Sequence, residues 1–294
     1  MRAVKEFAYA KINLYLDVTG KRSDGFHDIE TVMHTVSLSD TVTVEIAPSR
    51  EAGVTMQIEG EHRLPADDKN IAVKAAKLYL SRAGIKERVN IILSKNIPIA
   101  AGLAGGSSDA AATLRALNRL YNRRFTDRML LSLAAELGSD VPYCVGGGTA
   151  LCRGRGELIE RLPDLKNNSF VIAVAEGERV STPAAYASLD NLYSDFDGSV
   201  SRNNEGYLER LLLGIKIGAL DADALYNVFE SAVFKTCSGA EYLKSKMMEL
   251  GAVASLMSGS GPSVFGVFDT EEQAKAAERE LLSLGYRAYF AHSV

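Results

Sequence analysis

Residues 97–117 read IPIAAGLAGGSSDAAATLRAL: a proline, a run of glycine and alanine, two serines and an alanine-rich segment. Few backbone arrangements call for so little side chain. Gly102, Gly105 and Gly106 have no Cβ, so backbone N–H groups can converge there. Ala110, Ala111 and Ala112 join small volume to high helix propensity, which lets another element approach closely. Helical spacing is expected from about Ser107, with Leu114, Leu117 and Tyr121 as an apolar stripe and Arg115, Asn118 and Arg119 facing elsewhere. Two readings fit. One is a tight turn into a closely packed helix. The other is a backbone cradle for an anion, because the free amides and dipole of a first helical turn favour phosphate. In that reading Ser107 and Ser108 add hydroxyls able to hold a phosphate oxygen or a water on magnesium. The segment is not GxxxxGK[ST], since no lysine precedes the serines, and it is not GxGxxG. Glycine content alone leaves packing and phosphate balanced.

The chain around it alternates between strand and helix signals. Residues 7–18 read as one or two strands, 19–28 as a polar turn around Asp24-Gly25, and 29–38, 41–47 and 54–60 as strands. A helix is expected over 70–84, capped by Asn70 and closed by Gly84. A strand at 89–95 then delivers the chain to the glycine segment. Further on come a helix at 127–137 and turn-rich strand sequence at 146–156. A break near 164–168 precedes a strand at 168–177, a polar stretch at 191–205, and helices near 205–217 and 239–250. The stretch 255–270 is a glycine turn between strand-like ends. Thr270 and Gln273 form a capping-box pattern for a helix to about Leu284, and 286–292 closes as a strand. The expectation is an α+β chain. Its 294 residues are near twice the usual domain size, and the division is placed at 1–163 and 164–294.

Charge limits the partners. With 33 Lys and Arg against 37 Asp and Glu, the formal net charge is −4, which argues against a general nucleic-acid binder but leaves room for a local basic pocket. Cys144, Cys152 and Cys237 make no disulfide framework and no CxxC, and are read as core residues. No apolar run reaches membrane-spanning length, and the opening residues lack the apolar stretch of a signal peptide. A cytoplasmic protein without membrane or nucleic-acid partners is expected.

Two polar clusters raise the question of chemistry. Lys11 sits inside an apolar strand, and Asn13, two residues on, faces the same side. A surface lysine on an edge strand is the plain alternative. His27 is equally readable as a loop histidine satisfied locally. Asp140 follows a helix and precedes Val141-Pro142, so it is either a cap or turn residue or a carboxylate aimed into a site.

Together these segments resemble the GHMP kinase superfamily. AKINLYLDVTGKRSDGFHDIETV resembles its N-terminal motif, IPIAAGLAGGSSDAAATLRALN its phosphate-loop motif, and MSGSGPSVFGVF its C-terminal glycine motif. The resemblance implies an N-terminal domain like the second domain of ribosomal protein S5 and a ferredoxin-like C-terminal domain. It implies an ATP- and Mg2+-dependent kinase acting on an alcohol of a small cytidine-diphosphate substrate in isoprenoid precursor synthesis, as a monomer or weak homodimer. Pro98, Ala100, Ala101, Gly102, Leu103, Ala104, Gly105, Gly106, Ser107 and Ser108 match the nucleotide loop. Asp140 matches the catalytic aspartate and Lys11 its lysine. Asn13, Phe26 and His27 match substrate-side positions, His27 against the cytosine and Phe26, where tyrosine is usual, stacking on it. Tyr186 is a second stacking candidate, and Ser108 a magnesium contact through water. Ala104 stands where glycine is commoner, an exchange acceptable only if the backbone there does not need positive φ. Two alternatives stand beside this reading: a GHMP kinase of mevalonate or homoserine type, and an RNA-binding or structural protein with an S5-like domain. Overall acidity and three matched motifs weigh against the second.

Overall fold

The structure, a computed structural model, describes residues 2–47, 51–60, 64–175, 177, 180–193, 204 and 206–294. Most of the polar stretch at 191–205 lies outside them. Two long strands, β1 (Arg2–Lys21) and β2 (His27–Ala47), open the chain and pair with one another. The two strands expected at 29–38 and 41–47 are one continuous strand. The turn between β1 and β2 is closed by Arg22 N–H donating to Phe26 C=O at 2.8 Å, and by the Arg22 guanidinium on Asp24 and Asp28.

The chain divides into two compact units, one of residues 1–10, 39–99 and 104–147, the other of 11–38, 100–103 and 148–294. In the first, β3 (Gly53–Glu59) runs parallel to β4 (Arg88–Ser94), and β4 pairs antiparallel with residues 41–47 of β2. Val42, Val44 and Ile46 bury one face of β2, and Val89, Ile91 and Leu93 that of β4, as period-two alternation dictates. The helices are α1 (Ile71–Ala83), α2 (Gly105–Leu120), α3 (Asp127–Leu137) and α4 (Val141–Gly146). Asn70 caps α1 by accepting from Ala72 N–H at 2.9 Å, and Gly84 ends it in the left-handed region. The helices α1 and α2 pack together, and both bury alanines completely, Ala72, Ala75 and Ala76 on one and Ala110, Ala111 and Ala112 on the other. Asn118, expected to face away from the apolar stripe, is nonetheless inside the fold. It is buried because its amide both donates to Phe125 C=O and accepts from Phe125 N–H, each at 2.9 Å, holding the turn after α2.

In the second unit β5 (Thr149–Arg153) pairs antiparallel with residues 31–34 of β2, and β6 (Leu158–Arg161) with β5. There follow β7 (Ser169–Val174), α5 (Thr182–Leu192), α6 (Tyr207–Lys216), β8 (Tyr226–Asn227), α7 (Glu230–Val233), α8 (Ser238–Glu249), β9 (Ala254–Met257), β10 (Val264–Phe268), α9 (Glu271–Ser283) and β11 (Arg287–His292). Strand β8 adds parallel to β1 at Tyr15 and Leu16. The C-terminal sheet is antiparallel in the order β11-β7-β10-β9, with α8 and α9 packed on it. Strands β7, β9 and β10 are buried along their whole length, which is why they read as continuous apolar runs. The capping box of α9 is present in both directions, Thr270 with Gln273. All three cysteines are buried, as expected of core residues. Among the described residues no helix is long and apolar enough to cross a membrane.

His34, on β2, is buried with Nδ1 2.9 Å from Thr149 Oγ1 and Nε2 2.9 Å from Ser293 Oγ. Burial pushes its pKa down to about 4, against a smaller opposing pull from the Asp164 carboxylate. The unfolded chain, at about 6.5, therefore binds the proton first. His34 contributes stability that is complete above pH 6.5 and is lost as pH falls through 4, roughly 3 kcal/mol in all. In urea titrations between pH 7 and 4, wild type should lose about that much more stability than His34→Gln. Parallel curves would remove His34 as the cause.

Candidate active site

The glycine segment leaves β4 through Lys95 and Asn96 and enters α2 at Gly105, two residues earlier than the spacing predicted. The reason is Ala104. It takes φ +55° and ψ +27°, and its carbonyl already accepts from Ser108 N–H at 2.9 Å. Ala100 also has φ +55° and Gly102 φ +78°, so left-handed residues recur at every second position. Positive φ at alternate positions is a feature that anion-binding nests share. Helix α2 has no side-chain cap and no acidic residue in its first turn. Its leading N–H groups, at Gly105, Gly106 and Ser107, are the orphan donors that an anion satisfies. Gly106 is exposed and Ser107 half-buried. Ser108 is buried instead, and its hydroxyl donates to Tyr9 C=O.

The C-terminal glycine motif props the middle of this loop. Ser263 donates from both N–H and hydroxyl to Ala101 C=O, and Ser258 Oγ donates to Gly102 C=O at 3.1 Å. Any Cβ at Gly102 would drive into the carbonyl oxygen of Ser258. Asn227 holds the prop itself, its amide donating to Met257 C=O at 2.7 Å and Gly259 C=O at 2.9 Å. Leu103 C=O accepts from Lys11 N–H at 3.2 Å, which stitches the loop to β1.

Lys11 is 5% exposed. Its ammonium donates to Asn13 Oδ1 at 2.6 Å, Asn13 donates to Thr31 Oγ1 at 2.8 Å, and Thr31 donates to Tyr15 C=O at 2.6 Å. The two residues expected on one face of the strand are thus bonded to each other, and Lys11 is not a surface lysine. Asp140 belongs to the other unit. It occupies the N-cap position of α4, yet its side chain makes no capping bond and only its carbonyl enters the helix, toward Cys144 N–H at 3.1 Å. Local helix capping therefore does not account for its carboxylate.

Near the β1–β2 turn, Phe26 is exposed and carries the Arg155 guanidinium 4.9 Å above its ring. His27 is buried, stacked on Tyr186 with centroids 4.7 Å apart, and its Nε2 lies 2.7 Å from Asp190 Oδ1. Desolvation would raise the Asp190 pKa, but hydrogen bonds from Lys21 and His27 outweigh it and hold the carboxyl below its usual range. Tyr186 in turn meets Phe229 edge-on at 4.9 Å. The structure thus brings Tyr186 to His27.

The family model for the GHMP kinases N terminal domain matches residues 70–148, and that for GHMP kinases C terminal matches residues 211–287. The chain belongs to the GHMP kinases. Among curated GHMP kinases it is 39% identical to the 4-diphosphocytidyl-2-C-methyl-D-erythritol kinase of Alkaliphilus metalliredigens, over 100% of this chain and 97% of that protein. Against the protein of the same name from Caldicellulosiruptor saccharolyticus it is 41% identical, over 92% and 91%. A crystal structure of 4-(cytidine 5'-diphospho)-2C-methyl-D-erythritol kinase superposes with a TM-score of 0.80 at 33% identity, covering 98% of each chain. Homoserine kinase from Cytophaga hutchinsonii shares the fold, with a TM-score of 0.77 at 24% identity over 100% and 95%. As a GHMP kinase the chain is an ATP-dependent small-molecule phosphotransferase, α+β in fold with a mixed sheet and a ferredoxin-like sheet.

Several residues around this site were not singled out by the sequence: Asp40, Lys95 and Asp109 beneath the loop, Asn227, Ser258 and Ser263 behind it, and Asp190 beside His27. A charged residue set among apolar and small neighbours, as Asp109 is in SSDAAA, was the available signal. Ala104 is the clearest departure, because the exchange expected to need negative φ sits at positive φ. Alanine tolerates that region at about 1–2 kcal/mol. Ala104→Gly should relieve this strain, less the about 0.4–1 kcal/mol that glycine adds to the unfolded chain's freedom, for a net gain of up to about 1.6 kcal/mol. Gly102→Ala should destabilise by more than that gain. Urea unfolding of both variants is the check, and a destabilised Ala104→Gly would contradict the strain account.

Proposed function

We propose that the chain transfers the γ-phosphoryl group of ATP to the 2-hydroxyl of 4-diphosphocytidyl-2-C-methyl-D-erythritol, giving ADP and the 2-phosphate, in non-mevalonate isoprenoid precursor synthesis. The observation that carries the reading is the uncapped start of α2 behind a loop turned left-handed at Ala100, Gly102 and Ala104, in a chain that aligns end to end with kinases of that name. The amides of Gly105, Gly106 and Ser107 take the phosphates, with the Ser107 hydroxyl beside them.

Magnesium accompanies the nucleotide. Among the described residues no group of three or more His, Cys, Asp or Glu is gathered to hold a metal, which suits an ion bound mainly by phosphate oxygens and water. Bound there, magnesium neutralises charge on the phosphate oxygens. The buried Ser108 hydroxyl is engaged with Tyr9, so Ser107 is the better-exposed hydroxyl toward its water shell.

The acceptor is a tertiary alcohol and a poor nucleophile. Asp140 accepts its proton as the phosphoryl group moves, and Lys11, aligned by Asn13, offsets the charge that develops. Phe26 stacks on the pyrimidine, while Asp190 and Tyr186 hold the His27 ring in register to contact it. Gripping the remote base places the reacting alcohol, so binding far from the chemistry raises the rate at the reacting atoms.

An ADP-release assay across this substrate, mevalonate and homoserine tests the assignment. Turnover is expected with the cytidine-diphosphate substrate alone, and turnover with only one of the others would overturn the reading. In the same assay Asp140→Asn should reduce kcat by roughly 10²–10⁴-fold with little change in ATP affinity. Lys11→Met should also slow turnover, and the double variant should lose less than the product of the two. A near-wild-type kcat for Asp140→Asn, with its thermal midpoint read on the same preparation, would take Asp140 out of the mechanism.

A further inference from the structure

Beneath the loop lies a buried ion cluster that the mechanism does not use. Lys95, just past the end of β4, has a side chain 3% exposed. Asp40, on β2, is fully buried, and Asp109, on α2, is 4% exposed. The Lys95 ammonium donates to Asp40 Oδ2 and, at 2.9 Å, to Asp109 Oδ2. The other oxygen of Asp40 accepts two backbone amides, Asn96 N–H at 2.6 Å and Ile97 N–H at 2.8 Å. Those amides immediately precede Pro98 and the start of the loop. Asp109 lies four residues after Gly105 and so on the same face of α2. A Cβ added to Gly105 would sit 3.2 Å from Lys95 Nζ and 3.1 Å from Ile97 Cγ2. The ammonium is therefore tucked under the first residue of α2.

Removing three ionisable groups from water is unfavourable, and well-packed apolar residues commonly do as well or better for stability alone. This cluster is also incompletely satisfied, since Asp109 Oδ1 is buried with no partner among the described residues. What the cluster does supply is geometry. One ammonium ties the chain entering the loop, through Asp40, to the helix leaving it, through Asp109.

We propose that Asp40, Lys95 and Asp109 are positioning residues for ATP, a buried clamp that fixes both ends of the glycine loop and so sets where the α2 amides meet the phosphates. The proposal rests on the phosphate-loop reading above. Amide donors must lie within a few tenths of an ångström of their best distance, and a misplacement of 1 Å at a reacting group can cost as much as 10²-fold. Burial pushes the Asp109 carboxyl above its usual range, against the pull of Lys95. Only one oxygen of Asp109 accepts from the ammonium, so an amide of the same shape at 109 should serve nearly as well, whereas an apolar group should release it.

The test is MgATP affinity by calorimetry for wild type, Asp109→Leu, Asp109→Asn and Lys95→Met, with thermal midpoints and the KM of the acceptor alongside. Asp109→Leu and Lys95→Met should bind MgATP about tenfold or more weakly with the acceptor KM unchanged, and Asp109→Asn should stay within about threefold of wild type. Rescue by asparagine is what a merely structural role would not give in affinity. If Lys95→Met does not fold, the two Asp109 variants decide. Folded Asp109→Leu with wild-type MgATP affinity and only a lower thermal midpoint would overturn the clamp. Wild type that itself fails to bind MgATP would instead overturn the phosphate-loop reading, and the clamp with it.

Discussion

A helix that begins without a cap must be held at its start by something other than its own side chains. Helix α2 offers its first amides outward, with Ala104 in the left-handed region directly before them. Much of the backbone around that turn is engaged from behind. Asp40 takes the amides of Asn96 and Ile97, Ser263 and Ser258 take the carbonyls of Ala101 and Gly102, Lys11 N–H takes Leu103, and Ser108 turns to Tyr9. The carbonyls of Ala101, Gly102 and Leu103 are bonded to the scaffold, while the leading amides of α2 have no cap. An amide row with those carbonyls already satisfied suits the phosphate cradle proposed above better than a packed turn does.

The small residues follow from this arrangement rather than causing it. Gly102 is required by a carbonyl that would overlap its Cβ, and Gly105 by the Lys95 ammonium and Ile97 on its inner side. Alanine at 104 shows the limit of that demand, carrying a Cβ where the dihedral alone would choose glycine. Strain held in a loop by five separate hydrogen-bonded anchors is characteristic of functional backbone, and here the anchors come from three distant stretches of sequence.

How much of this was readable beforehand depended on range. Alternation at 42–46, the caps at Asn70 and Thr270 and the glycine–helix junction are local signals, and the structure contains all of them. Helix α5 was missed because only Ala185 and Leu189 are buried along it, too few to mark a period, and α4 because six residues do not complete two turns. The Lys95 clamp joins residues 55 and 14 positions apart, which no spacing rule detects. The two histidines make the same point. His27 and His34 look alike in sequence, yet one is set between a carboxylate and an aromatic ring while the other is sealed between two hydroxyls.

Acceptor choice cannot come from the fold, since a homoserine kinase shares it at a TM-score of 0.77. It has to come from side chains placed on that fold, and the β1–β2 turn is where the unusual ones gather. Arg22 locks the turn by two carboxylates, leaving Phe26 exposed at its tip under Arg155, while His27 points inward to Asp190 and Tyr186 on α5. A flat apolar ring beside an oriented imidazole recognises a planar heterocycle with hydrogen-bonding edges better than a short aliphatic acid, which offers nothing to stack. The exchange of tyrosine for phenylalanine at 26 sharpens the division. Without a phenolic hydroxyl the ring offers area alone, so in the proposed reading edge recognition falls to His27, and its orientation to a carboxylate held ionised by Lys21. In the proposed reading the phosphate half of the reaction is carried by the backbone of the glycine loop, and the discriminating half by a few side chains whose own partners keep them in place.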